Sequence, residues 1–298
     1  MPSRRAVLGG CAGLLASLAG CSLPALPGEE PHPTREWLYA PGRFADDWRR
    51  YRVVNRTPVL WDDHREWLDD QRVADAIGTH RPYYGPFGVE TRDVDWQLRV
   101  GGVDRSLPRL CVSAAAFNRG RLEDAMNATT EERVDDYQTM AMYRTPDHDR
   151  AFAAGGDYLV DCQYDGPDDP ATALRTCIDT QTGSVDRFTT TSEHCRLLAD
   201  ALADDAEFAF DVFDAPSNGV VGRGWRRLFD EETTHLTAVV LFADEASAAE
   251  ASVRDSVSLP SWRPDRETSV DVDGRLGVVI ASRPTETVRL DAPPFQFA

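Results

Sequence analysis

Apolar residues recur along this chain at two spacings, and the changes from one to the other lay out its elements. Val94, Trp96, Leu98 and Val100 alternate with polar residues, the period of a half-buried strand, and Gly101-Gly102 ends it. Leu110, Val112, Ala114 and Ala116 begin a second strand, after which Asn118 is placed to cap a helix over 119–127. Two more strands are expected near Tyr137–Arg144 and Asp157–Gln163. Upstream, Asp62 to Ile77 reads as a helix capped by Asp62 or Asp63, with Trp67, Leu68, Val73, Ala74 and Ile77 on its apolar side. Downstream, Asp168-Asp169-Pro170 starts a helix carrying Leu174, Cys177 and Ile178, and Ser192 opens another with Cys195, Leu198, Ala199 and Leu202. Phe208, Phe210 and Val212 alternate as a strand, and the apolar run Thr237–Ala243 fits a strand covered on both faces. A helix over 244–257 precedes a hairpin that pairs Val270 and Val272 with Leu276, Val278 and Ile280 across Asp273-Gly274. Trp37 to Pro58, aromatic and arginine-rich, reads as a partly extended lead-in whose aromatics pack on the body.

Side by side, residues 62–163 and 192–282 both run helix, strand, strand, helix, strand, strand, with LCVSAAAF beside AVVLFADE and GGDYLVDC beside GRLGVVIA. The order is that of a ferredoxin-like sandwich cut open at a different point. The expected fold is therefore α+β, two tandem permuted ferredoxin-like units, each with helices on one face of an antiparallel sheet. A single continuous sheet would use the same elements. The expected divisions are a signal peptide at 1–20, a tether at 21–34, a first unit at 35–165, a connector helix at 166–191 and a second unit at 192–298.

Composition changes the picture in one respect. The chain has 34 aspartates, 16 glutamates and 32 basic residues, every one of them arginine, for a net charge of −18. In molar salt the Debye length shrinks to about 3 Å, so like charges can cover a surface with little repulsion. The balance argues against nucleic acid, whose binders present a basic face.

The first twenty-one residues, MPSRRAVLGGCAGLLASLAGC, place Arg4 and Arg5 before an uncharged run that Cys21 closes. That is the layout of an export signal, shorter than the roughly 20 apolar residues of a membrane helix. Ser3-Arg4-Arg5-Ala6-Val7-Leu8 resembles the twin-arginine export motif, and Leu18-Ala19-Gly20-Cys21 is similar to a lipobox. Together they resemble the twin-arginine lipoproteins of extremely halophilic archaea. The resemblance covers about twenty residues and implies cleavage before Cys21, lipidation of its thiol and a membrane anchor outside the cell. Cleavage there would take the net charge from −18 to −20, since Arg4 and Arg5 leave with the signal. Residues 22–34, with four prolines, read as an extended tether.

Candidate chemistry is sparse. None of His32, His64, His80, His148, His194 and His235 is paired at ligand spacing, and no HExxH or CxxC occurs, so no metal or cofactor is expected. Asp62-Asp63-His64 and Asp147-His148-Asp149 set carboxylates beside imidazole, as chance provides in so acidic a chain. Asn55-Arg56-Thr57 and Asn127-Ala128-Thr129 match the glycosylation pattern weakly. Cys111, Cys162, Cys177 and Cys195 are an even count for an oxidising compartment. Strand neighbours would bring Cys111 level with Cys162, leaving Cys177 and Cys195, on successive helices, to staple the two halves together. Four buried thiols are the alternative. Aromatics beside arginines, chiefly Tyr83, Tyr84 and Trp225, are the candidates for partner contact. Three functions remain: a non-catalytic surface binding module, which the anchor and tether favour; an exported hydrolase or redox enzyme; and a structural subunit of an envelope complex around Trp225 or Trp262.

Overall fold

The computed structural model describes residues 32–84, 89–102, 106–128, 132–147, 149–202, 206–258 and 268–297. The expectations on Arg4, Arg5, Cys21 and most of the tether lie outside them, as do His148, Trp262 and the side chains of His80, Tyr83 and Tyr84. The strands are β1 (Arg50–Arg56), β2 (Trp96–Gly102), β3 (Arg109–Ala114), β4 (Glu132–Tyr137), β5 (Met140–Arg144), β6 (Arg150–Ala154), β7 (Tyr158–Gln163), β8 (Glu207–Ser217), β9 (Val220–Asp230), β10 (Thr233–Phe242), β11 (Val257–Ser258), β12 (Ser269–Asp273), β13 (Leu276–Pro284) and β14 (Gln296–Phe297). The helices are α1 (Pro58–Asp63), α2 (Asp70–Tyr84), α3 (Arg119–Asn127), α4 (Pro170–Gln181), α5 (Phe188–Thr191), α6 (Glu193–Leu202) and α7 (Glu250–Ser256).

Twelve strands form one sheet in the order β12-β13-β10-β9-β8-β1-β2-β3-β7-β6-β5-β4, with antiparallel pairing throughout. The fold is thus α+β with a large antiparallel sheet, and the two expected units share that sheet instead of closing separately. The repetition in sequence has a structural counterpart. Outward from the central β1–β8 pair, one half runs β1-β2-β3-β7-β6 and the other β8-β9-β10-β13-β12. In each half the third strand leads to a helix, α3 or α7, and the last strand returns beside the third. The two segments aligned in sequence, around β3 with β10 and β7 with β13, occupy matching places.

The helices lie on both faces, correcting the expectation of one. On the inner face Val53, Leu98, Val100, Leu110, Val112, Val160, Phe208, Phe210 and Val239 form a single core with Leu174, Cys177 and Ile178 of α4 and Leu198 and Leu202 of α6. The expected connector is therefore a core helix. The outer face is covered in patches. Leu122 and Met126 of α3 pack with Ala141, Tyr143 and Leu159 near one end, and Val253 of α7 packs with Val240, Val279 and Phe295 near the other. Trp61, Leu68 and Val73 of the α1–α2 region join Phe229, Val288 and Leu290 in a third patch. The helix expected over 62–77 is two helices: Pro58 opens α1, and the Asp69 side chain accepts from the Arg72 amide at 3.0 Å to start α2.

Trp37, Leu38 and Tyr39 are fully buried in the inner core, as the lead-in reading expects. The sulfurs are a different matter. Leu110 is level with Cys162 and Cys111 with Asp161, so Cys111 and Cys162 point to opposite faces of the sheet and cannot bridge. All four cysteines are free, with Cys162, Cys177 and Cys195 buried as small apolar groups. Asn55 is buried too, donating to the Ala206 carbonyl at 3.1 Å, which removes its glycosylation pattern from reach.

The seating of α6 depends on Gly222 and Gly224 of β9. A Cβ on Gly224 would lie 2.5 Å from Leu202 Cδ1 and 2.6 Å from Phe210 Cβ, and one on Gly222 would lie 2.5 Å from Leu198 Cδ1. Gly224→Ala is expected to lower stability by about 1–3 kcal/mol through overpacking. Chemical denaturation in molar salt measures it, and an unchanged midpoint would show that α6 does not rest on this strand.

Candidate anion-binding face

Strand alternation that fills the inner face with apolar residues turns a different set outward. On β1 these are Arg50, Arg52, Val54 and Arg56; on β9 they are Arg223, Trp225 and Arg227. Arg52 is level with Asp211, and Asp211 with Arg223. On the other side Arg99 is level with Cys111 and Cys111 with Asp161, while Arg109 and Arg150 are both level with Gln163. Paired residues share a face. Across β6, β7, β3, β2, β1, β8 and β9 the outer face therefore carries Arg50, Arg52, Arg56, Arg99, Arg109, Arg150, Arg223 and Arg227 against three carboxylates, Asp161, Glu207 and Asp211. Arg52, Arg99 and Arg109 are exposed. Within these strands the outer face thus carries more arginine than carboxylate, in a chain whose net charge is −18.

Two polar clusters organise this face. In the first, the Asp211 carboxylate, 8% exposed, accepts from Arg50 Nη2 at 2.6 Å and from Arg52 Nε at 2.9 Å. Arg223 lies beside them, its guanidinium 5.5 Å from the Phe213 ring and 5.3 Å from the Phe297 ring. Burial lowers the Arg223 pKa; Asp211 opposes the shift, and Arg50 and Arg52 add to it. In the second cluster, the fully buried Glu207 pairs with Arg227 at 2.5 Å and accepts from the Trp61 indole at 2.9 Å. Arg227 also donates to the Arg289 carbonyl at 2.6 Å, and Arg56 to the Leu290 carbonyl at 3.0 Å. Burial lowers the Arg56 pKa despite the nearby Glu207.

A groove of about 400 Å³ opens on the first cluster, lined by Arg50, Arg52, Asp211, Arg223, Trp225 and the segment 293–297. A depression of about 520 Å³ elsewhere is lined by Glu66, Trp67, Glu232, Thr233, Arg283, Pro284 and Glu286. It is larger, but its mixed rim converges on no one kind of ligand group.

The residues singled out from sequence fare unevenly. Trp225 is 6% exposed, so it is part of the groove floor and not an exposed partner contact. Tyr83 and Tyr84 close α2, with side chains outside the described residues. Cys111 sits in the arginine face beside Arg99 and Asp161. Burial pushes its thiol up to about 11, which keeps it neutral at pH 7. His64 faces no carboxylate cluster: its Nδ1 lies 3.0 Å from the Leu60 carbonyl and its ring packs on Phe229. Among the described residues no group of three or more His, Cys, Asp or Glu is arranged to hold a metal. The arginine face was missed. Its signal was arginine at alternate positions, in RYR at 50–52 and RGWRR at 223–227, within an otherwise acidic chain.

No protein-family model and no curated protein matches the chain. Among solved structures, crystal forms III and IV of TP0453 each align with a TM-score of 0.48. The first is 8% identical, covering 88% of this chain and 96% of that one; the second is 7% identical, covering 84% and 96%. At that score the likeness assigns neither fold nor function.

Arg227→Met would take from the buried Glu207 carboxylate its closest cation, leaving the Trp61 indole and Arg56, 3.8 Å away. Losing one partner of a buried pair costs about 3–5 kcal/mol, and that is the expected fall in unfolding free energy. Denaturant melts of the variant in molar salt measure it, and a loss below about 1 kcal/mol, the range of exposed pairs, would contradict the assigned role.

Proposed function

We propose that this chain is a cell-surface lipoprotein that works as a binding module, using the arginine-lined outer face of its sheet to take an anionic ligand or partner. The observation that carries the reading is the excess of arginine on this face, eight guanidinium groups against three carboxylates within the strands that form it, in a chain with 50 acidic residues. A solvated surface in such a chain would gather acids everywhere. Arginine is also the side chain whose planar fork matches carboxylate and phosphate oxygens two at a time. Lipidated Cys21 and the tether at 21–34 would hold this face outside the cell, where two acyl chains are needed for stable anchoring. The halophilic lipoprotein resemblance supports the compartment, and the acidic remainder of the surface suits molar salt.

One preparation tests both parts. Protein extracted from native membranes in molar salt is expected to have the mass of a chain beginning at a lipidated Cys21. Ligands or partners that copurify with it are expected to be lost when Arg52, Arg99 and Arg109 are all changed to Gln, with little change in melting temperature. An unmodified N-terminus would remove the anchor, and equal retention by the triple variant would remove the arginine face as the binding surface.

A further inference from the structure

The groove on the first arginine cluster has two unlike sides. One is cationic: Arg50, Arg52 and Arg223 surround the single carboxylate of Asp211. The other is apolar and aromatic, built by Pro293, Phe295 and Phe297 over a floor of Ala209 and Trp225. Its volume, about 400 Å³, falls in the range of small-molecule clefts.

We propose that this groove binds a small molecule with an anionic head, carboxylate or phosphate, on a flat apolar body. The inference rests on the anion-binding reading above and names the ligand class for one part of that face. Arg50, Arg52 and Arg223 bring three planar guanidinium forks to one side of the groove, the side-chain geometry that matches carboxylate or phosphate oxygens. Asp211 is itself a positioning group: it holds Arg50 and Arg52 by hydrogen bonds of 2.6 and 2.9 Å, so their forks need no ordering when a ligand arrives. Arg223, between the Phe213 and Phe297 rings, lies where the cationic side meets the aromatic one. A bare inorganic anion would satisfy the arginines and leave the aromatic wall wet. A neutral arene would do the reverse. Only a ligand with both parts uses both sides.

Calorimetric titration of the mature chain in molar KCl tests this with four probes: 1-naphthoate, 1-naphthyl phosphate, sulfate and 1-naphthalenemethanol. Saturable one-site binding is expected for at least one of the two naphthyl anions, and which binds tighter identifies the head group. Sulfate and the neutral alcohol are expected to bind at least about tenfold more weakly. Arg223→Gln and Phe297→Ala are each expected to weaken the naphthyl anion at least about tenfold, while Arg121→Gln, at an exposed position of α3, leaves it unchanged. Sulfate binding as tightly as the naphthyl anions would overturn this inference and leave the arginine face standing. Naphthyl binding indifferent to both groove variants, or no binding of any probe, would also overturn it, and the triple arginine variant would then decide separately whether the face binds at all.

Discussion

The buried pair of Glu207 and Arg227 is the interaction on which the outer face depends. Removing two charges from water is costly, and the cost is offset only where every remaining donor and acceptor finds a partner. Here the carboxylate holds the Trp61 indole, and the guanidinium reaches the carbonyls of Arg289 and Leu290. Those bonds fix α1 at one end of the sheet and pin the chain just before it runs on as residues 293–297. That same segment is the aromatic wall of the groove. A buried ion pair is a weak source of net stability, but its directional bonds make it an effective locator.

The sheet divides its labour by face. The inner face is dry along most of its width, with α4 and α6 closing over it, and supplies the apolar burial that a chain of this size needs. With that core in place, the centre of the outer face can stay polar. α3 and α7 cover it toward its two sides and α1–α2 toward one end, leaving arginines between them. The halves related across β1 and β8 contribute unequally: β1 and β9 bring five of the eight arginines, so the groove lies to one side of the central pair.

Much of this was legible in sequence, and the rest was hidden for identifiable reasons. Alternation located β2, β3, β8 and the β12–β13 hairpin, a continuous apolar run located β10, a strand was expected at β7, and the Asn118 and Ser192 caps lie where expected, accepting from Arg121 and Cys195 amides. β9 escaped because its inward positions include Gly222 and Gly224 where a strand usually shows apolar side chains, a substitution that only the approach of α6 explains. β1 escaped because Asn55 occupies a buried position. β4 is an exposed edge rich in charge and has no apolar side to read. The site was less visible than the fold. Arg52 and Arg223 meet only because β8 lies between β1 and β9, a pairing of segments more than 150 residues apart that no local pattern encodes.

The central claim is that the middle of the outer face is an open, arginine-lined surface. Arginine footprinting with phenylglyoxal in molar salt, read by peptide mass, tests it directly. Arg52, Arg99 and Arg109 are expected to react fast, and Arg227, 1% exposed, only on unfolding. Protection of those three to the level of Arg227 in the isolated protein would contradict the account, because the face would then be covered.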